Sequence, residues 1–493
     1  MYTHDIVVIG GGAAGLSVAS GCAQLGMKTA LIEREHMGGD CLHFGCVPSK
    51  TLLHVASRFA AAAEVGRFTE RRPDPIEAHM SAVNERVASV IAAIAHHDSP
   101  DRFRSLGAEV FLGPARFTSD HEVEVNGTRV SAKTVVIATG SRAAVPPVEG
   151  LAEAGFLTNR DVFGLDALPR SLAILGAGPI GVELGQAFRR LGSDVTIIDI
   201  AKRILPRDDA ETSSVVARRL EREGVNTVLN ARVERVSLSN GKKVIEFASP
   251  EGLAQPLPSV AADEILVAAG RVANTDELNL AAAGIEAGRG GYIAVDKKLR
   301  TSVRHIYAIG DCNGSFPFTH VAGAEAALVV RRVALHAGGS IDYRAVPWVS
   351  YTDPELASVG HTEETAAGAG IEHRVVRQSF SVLDRAHAEE ATDGLMKVVL
   401  GKRDRVIGVQ IVAPGAGELI GPALHAVTHR WKFAALRSVI TPYPTMGEVY
   451  SRVVSTQLAP KLFNNRARGI LRFLFRYRGP GPQPAASAGH HEE

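Results

Sequence analysis

Cysteine, net charge and long apolar runs are all scarce in this chain of 493 residues. Four cysteines (22, 41, 46 and 312) are too few for a disulfide scaffold, and none follows position 312. A formal net charge of +1 supplies no basic field, so nucleic acid is not an expected partner. No apolar stretch approaches the roughly 18 residues of a spanning helix. The first residues, MYTHDIVVIGGG, lack the basic start and long apolar run of a secretory leader. A cytoplasmic location is therefore expected. Aromatic residues make up only 5% of the chain although hydrophobic residues make up 45%, so the cores must be largely aliphatic.

Glycine is abundant, and much of it is patterned. Residues 5–9 (DIVVI) form a short apolar run that ends in Gly10, Gly12 and Gly15 of a G-x-G-x-x-G motif. A helical pattern follows to about residue 26, then TALIE ends at Glu33. LAIL leads likewise into Gly176, Gly178 and Gly181, a helical pattern follows, and VTIID ends at Asp199. The two glycine sets are offset by a constant 166 positions, and each acid lies 23 positions after its first glycine. In such a strand–turn–helix–strand unit the first glycine permits a tight turn and the second admits a pyrophosphate. The third lets helix and strand pack closely, and the helix N-terminus stabilises the phosphate charge. An acid ending the second strand can bind a ribose diol, a role that fits Glu33 and Asp199. Two matched units predict two dinucleotide sites. Asp199 favours NAD, because a carboxylate repels a 2′-phosphate. Lys202 and Arg203 follow it and keep NADP open.

The segment GGDCLHFGCVPSK holds Cys41 and Cys46, separated by four residues. That spacing allows a disulfide, and a helix N-terminus with a nearby Lys50 favours a thiolate. A zinc site would need further ligands at suitable spacing, and no CxxC or HxxxH cluster supplies them. No resident metal is expected, and His96, His97 and His320 are read as a loop pair and a helix-cap residue. Cys22 and Cys312 are read as packed interior thiols.

With these motifs in hand, residues 4–460 resemble the class I pyridine nucleotide-disulfide oxidoreductases, which include dihydrolipoyl dehydrogenase, glutathione reductase and mercuric reductase. The resemblance rests on the segments already quoted and on VVIATGS (135–141), GAGPIGVELG (176–185), AAGRVANT (268–275), IYAIGDCNG (306–314) and YTDPELASVG (351–360), in this order. It implies an α/β fold with two Rossmann-like dinucleotide-binding domains and a C-terminal α+β dimerisation domain. It further implies FAD and a nicotinamide cofactor, and a homodimer with shared active sites. Cys41 would be the interchange thiol and Cys46 the partner of the flavin. Lys50 would approach the flavin and pair with Glu183. Ala115, Thr139, Gly140 and Asp311 would line the FAD site. Val233, Gly270 and Arg271 would lie around the nicotinamide cofactor.

One motif departs from the family. Dithiol-handling members carry His-Pro-Thr-x-x-Glu near the C-terminus; here Tyr443 replaces the histidine, ahead of Pro444, Thr445 and Glu448. A proton shuttle near neutral pH suits histidine (pKa about 6.5) better than tyrosine (about 10). Mercuric reductases also place a tyrosine in this region, where a phenol beside two thiolates could help ligate a soft metal ion. They hand the metal inward through C-terminal cysteines, which this chain lacks. A packing role for Tyr443 at the interface stays open.

The resemblance divides the chain into an FAD domain (1–142 and 269–340), a nicotinamide domain (143–268) and a dimerisation domain (341–462). A long helix is expected over 75–100 and strands over 108–140. Residues 461–478 contain six Lys or Arg and no acid. Arg468, Arg472 and Arg476 recur every four residues, which predicts a basic amphipathic segment over 463–478, able to lie on the inner face of a membrane, or alternatively on its own dimer. Residues 479–489 read as a disordered tail. Three functions remain open: reduction of a small-molecule or protein disulfide, reduction of a soft metal ion such as Hg(II), and service as a membrane-docked redox partner.

Overall fold

The computed structural model describes residues 1–69, 76–248 and 257–479. The chain divides into two compact units, Met1–Asp353 and Pro354–Glu493. The tail expected to be disordered falls almost wholly outside the described residues.

Among the described residues, the first unit contains four sheets, and the glycine turns lie on the two largest. In the larger, Ala108–Leu112, Thr29–Glu33, His4–Ile9 and Thr128–Ile137 lie side by side in parallel, and Ile306–Ala308 joins Thr128–Ile137. Glu122–Val125 and Ala115–Ser119 continue it as an antiparallel meander. The central strand buries both faces: Ile6, Val7, Val8 and Ile9 are each at most 3% exposed. Its continuous apolar run follows from that burial, with each such side chain contributing about 1.5–3 kcal/mol. The second sheet, Asn226–Val228, Asp194–Ile198, Ser171–Leu175 and Glu264–Val267, is wholly parallel.

The helices that position the site are α1 (Ala13–Gln24), α2 (Cys46–Val65), α3 (Met80–Ala95), α4 (Pro179–Leu191) and α5 (Thr319–Val333). Proline at the first position of α4 and Gly192 just beyond its end mark its limits, as their backbone preferences require. The helix expected over 75–100 is shorter than the sequence pattern. Its buried stripe starts at Met80 and continues through Val83 and Val87, whereas Ile76 is 59% exposed. At the other end, His96–Asp98 tighten into a single 3₁₀ turn.

The sequence repeat is a structural repeat in hydrogen-bond detail. Gly10 N–H donates to Ile32 O and Gly176 N–H to Ile198 O, both at 2.8 Å. A Cβ on Gly15 would lie 1.8 Å from Gly10 O, and one on Gly181 would lie 1.9 Å from Gly176 O. Only glycine lets these helices approach their own turns so closely.

The second unit is an antiparallel sheet in the order Glu355–Gly360, Arg405–Ala413, Leu395–Gly401 and Arg374–Ser379. Val398, Val409, Ile411 and Phe380 are fully buried in it. Helices α6 (Val449–Leu462) and α7 (Asn465–Phe475) end the described chain. Arg476 takes a left-handed conformation that closes α7, so it does not share a helical face with Arg468 and Arg472 as the four-residue spacing suggested.

Candidate active site

The cysteine segment is docked on the first glycine turn. Gly38 N–H donates to Gly11 O at 2.8 Å. Gly12 and Gly38 form a parallel bridge, and a Cβ on Gly39 (φ +61°) would lie 2.9 Å from Gly12 Cα. Cys41 sits in the short helix Gly39–His43, and Cys46 is the first residue of α2. The pair therefore spans two helices rather than one continuous turn.

The two sulfurs share a donor that sequence reading missed. Thr319, the first residue of α5, donates its hydroxyl to Cys41 Sγ at 3.2 Å and lies 3.7 Å from Cys46 Sγ. Nothing local marks it, since it lies hundreds of positions from the cysteines and outside every quoted motif. The sulfurs are unequal in acidity. Cys46 is lowered to about 6, chiefly by a hydrogen bond from the Cys41 thiol, helped by Thr319 and the charge of Lys50 and opposed by burial and Glu183. The Cys41 thiol is pushed up by its bond to Cys46 and by burial. By contrast, burial alone pushes the core thiol Cys22 up to about 12, and burial is likewise the main cause of the rise to about 12 at Cys312. Proximity of donors and a cation thus separates one reactive sulfur from the inert ones.

Lys50 lies one helical turn after Cys46. Its ammonium contacts Glu183 Oε2 on α4 at 2.7 Å and stands 4.5 Å from the centre of the Tyr351 ring. The Glu183 side chain is 5% exposed, and its other oxygen accepts the Tyr351 N–H at 2.9 Å. Burial of this carboxylate is thereby compensated on both oxygens.

A second polar chain runs beside the sulfurs. Asp40 accepts from Arg271 at 2.9 Å and from Asn159 at 3.1 Å. Arg271 also donates to the Ser141 hydroxyl at 2.6 Å, and Ser141 donates to Asp311 at 2.5 Å. The Arg271 guanidinium therefore links the cysteine segment to the Asp311 loop. Gly270 precedes it at φ +124°. Val233 opens the strand Val233–Ser239, which pairs antiparallel with Lys242–Phe247 in a three-stranded sheet of its own.

The residues present fit two dinucleotides. Glu33 accepts from Gly11 N–H and Glu35 N–H, both at 2.6 Å. Asp199 repeats this with Ala177 N–H at 2.6 Å and Ala201 N–H at 2.7 Å. Each acid thus braces its phosphate turn and keeps acceptor capacity for a diol. A side chain at Gly178 would meet nothing within 4 Å, and one at Gly12 only Gly39 Cα at 3.9 Å. Both turns are open cradles. The Thr139 hydroxyl is buried without a hydrogen-bond partner, beside Gly140 at φ +68°. Such an orphaned group is what a polar ring edge would satisfy. Ala115, 7% exposed, begins the meander strand.

In the second unit, Tyr443 is 68% exposed and donates its phenol to Asp384 at 2.7 Å. That bond raises the phenol above its ordinary value. The Tyr443–Pro444 peptide is cis. Glu448 closes a capping box with Thr445. The residues of the departed motif therefore spend their polar groups within their own unit.

The histidines flagged by sequence are otherwise engaged. His320 is inside α5, not at its cap, and contacts Pro347 O at 2.9 Å. His96 contacts Ala93 O at 2.8 Å. Among the described residues, Asp120, His121 and His305 gather their ligand atoms within 4.8 Å, but the two rings stack at 3.8 Å and each contacts a backbone oxygen.

Residues 4–326 match the pyridine nucleotide-disulphide oxidoreductase family, and residues 346–454 match that family's dimerisation domain. The chain is 34% identical to a mercuric reductase of Bacillus cereus over 465 residues, covering 92% of this chain and 72% of that protein. It is equally 34% identical to a mitochondrial dihydrolipoyl dehydrogenase of Pisum sativum, covering 90% of this chain and 89% of the other. Among solved structures it resembles the HOCl-induced flavoprotein disulfide reductase RclA of Escherichia coli, with TM-score 0.80 and 30% identity over 91% of this chain and 98% of that one. LpdA of Mycobacterium tuberculosis gives TM-score 0.82 at 27% identity, over 92% of this chain and 99% of that one. The two glycine cradles, the paired sulfurs and these matches together make the chain a member of the pyridine nucleotide-disulphide oxidoreductase family, an NAD(P)H-dependent flavoprotein disulfide oxidoreductase with a dimerisation domain.

Proposed function

We propose that this enzyme reduces a disulfide acceptor through Cys41 and Cys46, with NADH as the preferred donor. The observation that carries the reading is the sulfur pair gathered at Thr319, 3.2 Å from Cys41 Sγ and 3.7 Å from Cys46 Sγ, with Cys46 heading α2 one turn before Lys50, an arrangement that lowers the Cys46 thiol and raises that of Cys41. Bound FAD would accept a hydride from the nicotinamide and pass the electron pair to the Cys41–Cys46 disulfide. The residues to hold it are Gly10, Gly12, Gly15, Glu33, Ala115, Thr139, Gly140 and Asp311, with Lys50 near its ring. Gly176, Gly178, Gly181, Glu183, Asp199, Val233, Gly270 and Arg271 serve the nicotinamide side. The domain limits proposed are 1–142 with 269–340, 143–268 and 341–462.

In the reduced pair, Cys46 carries the thiolate and Cys41 the thiol. Cys41 loses its proton to solvent and attacks the acceptor disulfide, forming a mixed disulfide and releasing one thiolate. Cys46 then attacks the Cys41 sulfur, releases the second thiolate and restores the internal disulfide; solvent protonates the two products. The Thr319 hydroxyl lies within reach of both sulfurs, 3.2 Å from Cys41 Sγ and 3.7 Å from Cys46 Sγ, and helps to hold Cys46 acidic. Lys50 keeps positive charge near Cys46, and Glu183 holds Lys50 in place.

Anaerobic titration with NADH tests this reading, followed by a panel of disulfides and Hg(II). A long-wavelength thiolate–flavin band is expected at two electrons and is expected to vanish in Cys46→Ser. Turnover with Hg(II) and with no disulfide would overturn the acceptor class. Soft-metal reduction is the second reading, favoured by the relatives named mercuric reductase. The phenol of Tyr443, committed to Asp384, argues against its service as a metal ligand. We also place the enzyme in the cytoplasm as a homodimer with shared active sites, touching a membrane peripherally through residues 463–478.

A further inference from the structure

Helix α7 has 11 residues and buries none of them. Helices shorter than about 12–15 residues are marginal in water, and their stability comes from covering an apolar face. Its start is fixed locally, since the Asn464 side chain accepts the Ala467 N–H at 2.8 Å. Among the described residues, none buries the apolar side chains of α7. Phe463, Ile470, Leu471, Phe473, Leu474 and Phe475 are between 42% and 85% exposed. At about 100° per residue, Ile470, Leu474, Leu471 and Phe475 share one side of α7, Arg466 and Arg468 flank that side, and Arg472 and Phe473 lie on the far side.

The charge selects among occupants. Six Lys or Arg and no acid lie between 461 and 478 in a chain whose formal net charge is only +1. The end of α6 and α7 enclose a cleft of about 860 Å³ in which Phe463, Leu471 and Tyr477 meet Arg468 and Arg472. Aromatic and aliphatic side chains flanked by arginines are the pattern of a helix lying in a bilayer interface, with the cations at the headgroups. The family's dimerisation domain ends at 454, so the segment lies outside what the relatives' family shares. We propose that α7 lies in the plane of an anionic phospholipid surface. Its apolar side would enter the acyl boundary and its arginines would hold the phosphates. The inference rests on the peripheral contact proposed above and names its lipid class.

The test is co-sedimentation of the full-length flavoprotein with phosphatidylcholine vesicles, alone or with roughly one-third phosphatidylglycerol. Wild type should sediment with the anionic vesicles only, and added salt should release it. Charge reversal by Arg466→Glu with Arg472→Glu should weaken partitioning at least tenfold, from about fivefold per arginine removed. Ile470→Ser with Leu474→Ser should abolish it while leaving the dimer and flavin reduction by NADH intact. Equal sedimentation with both vesicle types would overturn the lipid class but keep a membrane contact. Sedimentation with neither would overturn both. If the Ile470→Ser, Leu474→Ser protein is monomeric, the face belongs to a second copy of the chain and the proposal fails.

Discussion

Lys50 Nζ lies 2.7 Å from Glu183 Oε2, joining the helix that begins at Cys46 to the helix that follows the second glycine turn. The pair is asymmetric: Lys50 is 36% exposed and Glu183 5%. Lys50→Met should therefore act twice. It removes the cation that favours the Cys46 thiolate, and it strands a buried carboxylate with only the Tyr351 N–H. Water reaches the lysine end, so the stability loss should be about 1–3 kcal/mol, below that of a fully buried broken pair. Urea unfolding measures the loss, and the thiolate–flavin band measures the effect on Cys46. An unchanged band in Lys50→Met would separate Lys50 from the sulfur chemistry.

The acidity of Cys46 fixes a pH dependence. Its folded value, about 6, lies below the ordinary thiol value. The thiolate contribution to the reduced protein's stability is thus complete above the unfolded thiol's titration and is lost as pH falls through about 6. The long-wavelength band should fade over the same interval. Stability of reduced wild type relative to Cys46→Ser should fall on acidification; a flat difference would contradict the assignment.

Thr319→Val keeps the side chain's shape and removes its hydroxyl. The Cys46 midpoint should rise by about one pH unit, as expected for a lost hydrogen bond to a charged group. Thr319→Ser should restore it. Alkylation of the apoprotein with iodoacetamide across pH, read by mass spectrometry, reports the same midpoint without flavin.

The two glycine turns should fail separately. Gly15→Ala places a methyl group 1.8 Å from Gly10 O and should abolish FAD retention. Gly181→Ala has the same conflict at 1.9 Å from Gly176 O, and should keep FAD while losing reduction by NADH. Flavin absorbance after gel filtration, then stopped-flow reduction, distinguishes the two. Loss of FAD in Gly181→Ala alone would reverse the assignment of the sites.

Asp384→Asn should lower the Tyr443 titration toward its ordinary value, because the bond to Asp384 is the main cause of its elevation. Ultraviolet titration of the phenolate, against Tyr443→Phe as blank, measures it.

Features that follow from short-range chemistry were legible in the sequence. The glycine turns, their acids and the cysteine segment each carry their function in consecutive residues, because a backbone turn specifies its own side-chain requirements. The Lys50–Glu183 pair was legible only through family resemblance, since 133 positions separate its members. Thr319, Asp384 and the Asp40–Arg271–Ser141 chain were not legible. Threonine, aspartate and arginine are common at surfaces, and tertiary packing alone brings these to their partners. The extent of α3 and the register of the C-terminal arginines were misjudged for a related reason. Periodicity describes which side chains would align if a helix continued, and burial and backbone conformation decide where it stops.

Docking of Gly38 and Gly39 on Gly11 and Gly12 ties the sulfur-bearing segment to the turn proposed to cradle the FAD pyrophosphate. On that proposal, the spacing of FAD and sulfur would be set by one local backbone unit, insulated from drift elsewhere in the molecule. Acceptor preference can change at remote surfaces, including a partner subunit, without retuning the electron-transfer gap.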